Sequence, residues 1–380
     1  MPRVVGVLVL GMVLGLIGLD LALAVVQGAG AVGDALHVPD ERTLWRNASN
    51  YRGERVSTDA FGLRSPGLPR DADKREVRIL LLGDSRVFGG GEPGPLDDEA
   101  LHAQLTRQLA TRVRAGVRVL NGAVSGFSTV QACHHGIRYL DVVEPDLVLL
   151  FLSPGGRCLL DTSSTYENVR IDNVLVPRDL AAWAPRRFVL QIARIHQWLS
   201  EHSRMYARHR RVASDLDGGL GDVRTGFVFT GEPNPGGDVQ YLLEQTFHAI
   251  EGLRVLASRK HGRVLAVAIY DAHATSESTW KQFIQLKLNR RGPKPGTRRE
   301  RTIEALRARL ASLGIPSWFF PEFQESAAAS RKQYYADEGR DGEHLSAAGT
   351  ALFAVTLTKA FDDSGVLREL AANRAAHLRR

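Results

Sequence analysis

The stretch Val77-Arg78-Ile79-Leu80-Leu81-Leu82 runs directly into Gly83-Asp84-Ser85. Such a short, continuous apolar run, β-branched at its start, suits a strand buried on both faces of a parallel sheet. The Gly83 turn then presents Ser85 just beyond the strand's carboxyl end, where open α/β sheets bind ligands. A serine placed there is a candidate nucleophile, provided the rest of the chain supplies a base and an oxyanion site.

From residue 76 onward strand and helix patterns alternate, the signature of a doubly wound α/β fold in three layers, α/β/α. Further strands are expected at Val117–Leu120, Asp146–Leu152, Arg263–Tyr270 and Ile315–Phe320. Leu96-Asp97-Asp98 is expected to open a helix to about Arg114, with Leu101, Leu105 and Leu109 on one face. Ser128 should cap a helix to about Val143. Helices are also expected over Val239–Lys260, Arg299–Leu313 and Leu345–Phe361, with a polar loop over 321–340 and a charged tail at the end. Residues 159–236 break this rhythm with an insertion that includes an amphipathic pattern from Arg187 to Val212. Following the third strand, it would hang over the catalytic end of the sheet, as a substrate-selecting lid or as a helix that merely widens the fold.

The base and oxyanion site have candidates downstream. Asp341-Gly342-Glu343-His344 places an acid and a histidine three residues apart, on one face of a helical turn. His344 could take the Ser85 proton while Asp341 fixes the imidazole tautomer. Val119-Leu120-Asn121-Gly122-Ala123-Val124-Ser125-Gly126 reads as a strand ending in a glycine turn that can offer a backbone N–H to an oxyanion, beside that of Ser85. Asp271 and His273 follow the fourth strand and are an alternative acid–base pair or loop residues bonded locally.

These blocks, in this order, resemble the SGNH (GDSL-like) hydrolases. Gly83-Asp84-Ser85 is similar to that family's nucleophile block, with Arg86 where the family name has leucine; Gly126 matches its glycine block, and Asp341-x-x-His344, with Leu345, Ser346 and Gly349, its last block. The resemblance implies a flavodoxin-like five-stranded parallel sheet and a Ser85–His344–Asp341 triad that hydrolyses an acyl or acetyl ester. It implies no metal and no organic cofactor. One block departs from the pattern: after the third strand the family carries an oxyanion asparagine, whereas this chain reads Ser153-Pro154-Gly155-Gly156-Arg157-Cys158. Losing one such donor typically costs about a hundred- to a thousand-fold in rate. Gly156 or Arg157 is the candidate substitute, and a slow or inactive site is the alternative. The same triad also serves an O-acyltransferase acting on an envelope polysaccharide, and the fold alone would serve a binding module.

The remaining features bound the setting. The chain has 380 residues and a formal net charge of +7, with basic runs such as Arg290-Arg291-Gly292-Pro293-Lys294. No aromatic residues interleave with these runs, so they read as solvated surface and argue against a nucleic-acid partner. Gly89-Gly90-Gly91 lacks a following Lys-Ser/Thr, which excludes a nucleotide loop. The adjacent His134 and His135 point to different faces, so no shared metal is expected, and Cys133 and Cys158 read as small buried side chains, with a disulfide between them as the alternative. Val4–Val26 is almost wholly apolar and long enough to span a bilayer. Residues 1–33 are therefore read as a membrane anchor in a bacterial inner membrane, with the catalytic domain in the periplasm; Ala22-Leu23-Ala24 leaves cleaved secretion open. Residues 34–75 form a lead-in, with Trp45, Tyr51 and Phe61 as packing anchors, and 76–380 form the catalytic domain. The expected partners are an acyl ester or acylated glycan and the membrane.

Overall fold

The computed structural model describes residues 36–40, 42–64, 76–90, 94–113, 116–153, 168–171, 174–177, 237–269, 295–336 and 344–377. The chain divides into two compact units. One holds residues 37–166 and 220–380; the other holds 1–36 and 167–219. In the second unit the described element is an antiparallel hairpin, whose strands Asn168–Ile171 and Val174–Pro177 are β6 and β7 below.

The larger unit begins with an antiparallel hairpin, β1 (His37–Asp40) and β2 (Leu44–Asn47). The sheet strand β3 (Val77–Leu82) then leads into a single helical turn, α1 (Ser85–Phe88), and helix α2 (Leu101–Ala110). Next come β4 (Val117–Asn121), α3 (Thr129–Val143) and β5 (Leu147–Leu152). After β6 and β7 follow α4 (Gly237–Arg259), β8 (Arg263–Ala268), α5 (Pro295–Ser312) and β9 (Ser317–Phe319). The chain closes with α6 (Pro321–Ala329), α7 (Arg331–Tyr334), α8 (Ala347–Ser364) and α9 (Val366–His377).

Five strands form one parallel sheet in the order β4-β3-β5-β8-β9. In chain order this is 2-1-3-4-5, the flavodoxin-like arrangement, with its reversal of direction at β3. Register places Ile79 beside Val119 on one side and Leu147 on the other, and Leu150 beside Ala266. Every residue of β3 and β5 is buried, which explains their continuous apolar sequences. Alternate residues face opposite layers. Leu80, Leu82, Val148 and Leu150 pack with Tyr139 and Leu140 of α3 and with residues of α4 and α5. On the other side α2 packs against α8, and Phe151 of β5 meets Phe353 of α8 edge to face. The result is the three-layer α/β/α architecture expected from the alternation.

Several local expectations are corrected. Helix α2 starts at Leu101, not at Leu96, because the Asp97 carboxylate accepts from the backbone N–H and hydroxyl of Ser57 and from Arg64. The polar stretch 321–340 holds two helices, α6 and α7, whose Ala327 is fully buried beside Tyr335. The charged tail forms α9, which turns Leu367 and Leu370 inward and lays Arg374 against Asp146. Phe61 is 41% exposed, so it is no packing anchor; its carbonyl instead accepts from the Tyr139 hydroxyl. Trp45 does pack, against Phe127 at 5.8 Å between ring centroids. Cys133 is free and buried, and burial pushes its thiol pKa up. Cys158, the basic run near 290 and the apolar run 4–26 lie outside the described residues, among which no helix is long and apolar enough to cross a membrane.

Candidate active site

At the carboxyl end of β3 the chain must turn from strand to helix within three residues. Asp84 makes this possible as the N-cap of α1: its carboxylate accepts from the Arg86 backbone N–H at 2.9 Å. The same carboxylate is gripped by the Arg86 guanidinium, with Nη2 at 2.7 Å from Oδ2, and accepts from the Ser153 hydroxyl at 3.1 Å. Both charged side chains are only 6% exposed. Arg86 thus closes an ion pair with the aspartate two residues before it, immediately flanking Ser85.

Ser85 heads α1 and is half-buried. His344 arrives from the far end of the chain. Its backbone is fixed by a bridge between Tyr335 and Leu345, and its carbonyl accepts from the Ala336 N–H at 2.9 Å. Ser346 then caps α8: its hydroxyl accepts from the Gly349 N–H at 3.1 Å and donates to the Gln333 carbonyl at 2.7 Å. Held this way, His344 Nε2 lies 2.7 Å from Ser85 Oγ. That is hydrogen-bond distance between a hydroxyl and a general base, the first geometric requirement of a serine nucleophile.

The loop after β4 carries Gly126. The Val124 N–H donates to the Gly83 carbonyl at 3.2 Å, so this loop lies against the turn that presents Ser85. Asn121, at the end of β4, adds a second tie by donating from Nδ2 to the Val87 carbonyl at 3.0 Å. The loop is held from outside by the lead-in. Trp45 Nε1 donates to the Ser125 carbonyl at 3.1 Å, and Asn47 Nδ2 donates to the Ala123 carbonyl at 3.1 Å. Gly126 has a left-handed backbone, φ +78°, with the Trp45 ring edge beside it.

Of the residues expected at the site, Ser85 and His344 are brought together, and the Gly126 loop lies against the Ser85 turn. Asp341, Gly156 and Arg157 lie outside the described residues, as do Asp271 and His273. Sequence reasoning missed the contributions of Asn47, Arg64 and Asn121. Their signal was faint: a polar residue at a strand end, or an arginine closing Phe61-Gly62-Leu63-Arg64, names no partner by itself. Among the described residues no cluster of metal-ligating side chains occurs.

No family model and no curated protein matches the chain. Several solved structures do. A lipase/acylhydrolase from Enterococcus faecalis is 12% identical, covering 76% of this chain and 96% of its own, at a TM-score of 0.37. A psychrotrophic esterase from Pseudoalteromonas sp. is 10% identical, covering 76% and 98%, at 0.39. An acetylxylan esterase from Geobacillus stearothermophilus is 12% identical, covering 74% and 93%, at 0.34. Likeness this distant carries no conclusion about chemistry, which has to come from the side chains.

Proposed function

We propose that the chain is a serine ester hydrolase in which Ser85 is the nucleophile and His344 the general base. The observation that carries this reading is the 2.7 Å contact between His344 Nε2 and Ser85 Oγ, made by residues 259 positions apart at the carboxyl end of a parallel sheet. In the proposed cycle, Ser85 Oγ attacks the ester carbonyl carbon as its proton passes to Nε2. The N–H groups of Ser85 and Gly126 stabilise the resulting oxyanion. The intermediate collapses with loss of the alcohol, which takes the proton from His344, and leaves Ser85 acylated. Water, deprotonated by His344, then releases the acid. Asp341 is proposed to orient the imidazole, on the spacing of Asp341-x-x-His344, and Gly156 or Arg157 to serve as a further oxyanion donor. The apolar run 4–26 supports an extracytoplasmic, membrane-anchored setting.

The test is labelling of the full-length protein with a fluorophosphonate probe, beside Ser85→Ala and His344→Ala. Labelling of the wild type, abolished in the first variant and reduced at least about a hundredfold in the second, is the expected outcome. A folded wild type that neither labels nor turns over short acyl esters would overturn the hydrolase reading and favour a binding module. Transfer of an acyl group to an added glycan, outpacing hydrolysis, would reassign the same site to an acyltransferase.

A further inference from the structure

Arg64 is fully buried, at 0% exposure. Removing a guanidinium from water is costly unless its donors are satisfied, and here they are spent in a specific way. Nε donates to Asp97 Oδ1 at 2.9 Å, and Nη2 donates to the carbonyls of Pro95 at 2.7 Å and Arg55 at 3.2 Å. Nη1 donates to the carbonyl of Phe88 at 2.5 Å and to that of Gly89 at 3.3 Å. The last two acceptors end the helical turn that Ser85 begins.

Their geometry reaches the site. The N–H groups of Gly89 and Gly90 both donate to the Ser85 carbonyl, at 2.9 and 2.7 Å. The peptide units 88–89 and 89–90 are therefore each held at both ends, oxygen on Arg64 and N–H on Ser85. Gly90 is the next contact: a Cβ built on it would lie 3.0 Å from both Ser85 Cβ and His344 Cδ2. Rotation of either peptide unit would move Gly90 into the Ser85–His344 pair or away from it.

We infer that Arg64 is a positioning residue for the active site, holding the turn after Ser85 so that nucleophile and base stay in register. The lead-in is on this account a structural part of the catalytic centre. The kinetic consequence rests on the hydrolase reading; the placement of His344 does not.

The experiment uses the full-length protein as wild type, Arg64→Met, Arg64→Lys and Asp97→Asn. Two readouts are taken below each variant's unfolding temperature: kcat and KM for a short p-nitrophenyl ester, and the ring-nitrogen NMR signals of His344, assigned by their loss in His344→Gln. Arg64→Met should lower kcat by about ten- to a hundredfold with KM within about twofold, since ångström-scale misplacement costs rates of that order. It should also shift the His344 signals, with partial recovery of both in Arg64→Lys. Asp97→Asn weakens the same ion pair without touching the Phe88 and Gly89 carbonyls, so it should lower thermal stability and leave kcat unchanged. Wild-type kcat and unshifted His344 signals in the Arg64 variants would overturn the inference, as would an equal loss of kcat in Asp97→Asn. Should Arg64→Met not fold, Arg64→Lys decides in the same way. If the wild type turns over no ester, the hydrolase reading fails by itself and the His344 signals still decide the role of Arg64.

Discussion

Asp84 and Arg86 form an ion pair in which each side chain is 6% exposed, on either side of the residue proposed to react. Charges this deeply buried are strongly interdependent, and removing one partner of such a pair typically costs about 3–5 kcal/mol. Asp84→Ala takes away the acceptor of the Arg86 backbone N–H, the Arg86 guanidinium and the Ser153 hydroxyl together. It should destabilise the fold by that amount in urea denaturation. Arg86→Leu takes the Arg86 charge from a buried carboxylate but leaves Asp84 its bonds to the residue-86 N–H and to Ser153, so its cost should lie at the low end of that range, below that of Asp84→Ala. Equal costs would show that the ion pair, and not the cap, carries the stability.

At the level of elements, His344 depends on the fit of α7 to α8. A Cβ on Gly349 would come 2.1 Å from the Tyr334 carbonyl oxygen, closer than any real contact allows. Backbone cannot yield as a flexible side chain does, so Gly349→Ala must separate the two segments that hold His344. Fluorophosphonate labelling and thermal stability should both fall. Ser128→Ala is the matched contrast. It removes the reciprocal cap of α3, in which the Ser128 side chain accepts from Gln131 N–H and the Gln131 side chain accepts from Ser128 N–H. Stability should drop by about 1 kcal/mol, with the labelling rate unchanged, because α3 packs on the sheet and does not carry the base.

At the scale of the whole molecule, two histidines are sealed in the layers on either side of the sheet. Burial lowers the pKa of His102 in α2 to about 3, assisted by the Arg64 charge. Burial likewise lowers that of His135 in α3 to about 3. In the unfolded chain both titrate near 6.5. Below that value the unfolded state binds protons that the folded state refuses, so the stability both contribute is full above pH 6.5 and is lost as pH falls toward 3. The slope is roughly 1.4 kcal/mol per pH unit for each histidine. Asp59 and Asp146 are raised by burial and act with the opposite sign, in the more acidic carboxylate range. Urea midpoints should therefore decline between pH 7 and pH 5, and His135→Phe, which keeps an aromatic ring between Phe127 and Tyr139, should flatten the decline.

The parallel sheet was legible in the sequence, because runs such as Ile79–Leu82 and Leu147–Leu152 are apolar throughout and only burial on both faces explains that. Ser128 as a cap and Ser85 at a strand end were legible for similarly local reasons. Element boundaries failed where a polar side chain answers to a distant partner: Asp97 looked like the start of a helix and is instead held by Ser57 and Arg64. The helices within 321–340 were hidden because they are short, nine and four residues, too short for a helical repeat of apolar positions to show. Periodicity reports which side of an element is buried, but not which residue it meets. By itself the sequence therefore determined the layers, the strands and the candidates for the reaction. The meeting of Ser85 with His344, and the hold of Arg64 on the turn between them, were decided only by the tertiary fold, since directional hydrogen bonds between remote residues leave no repeating trace along the chain.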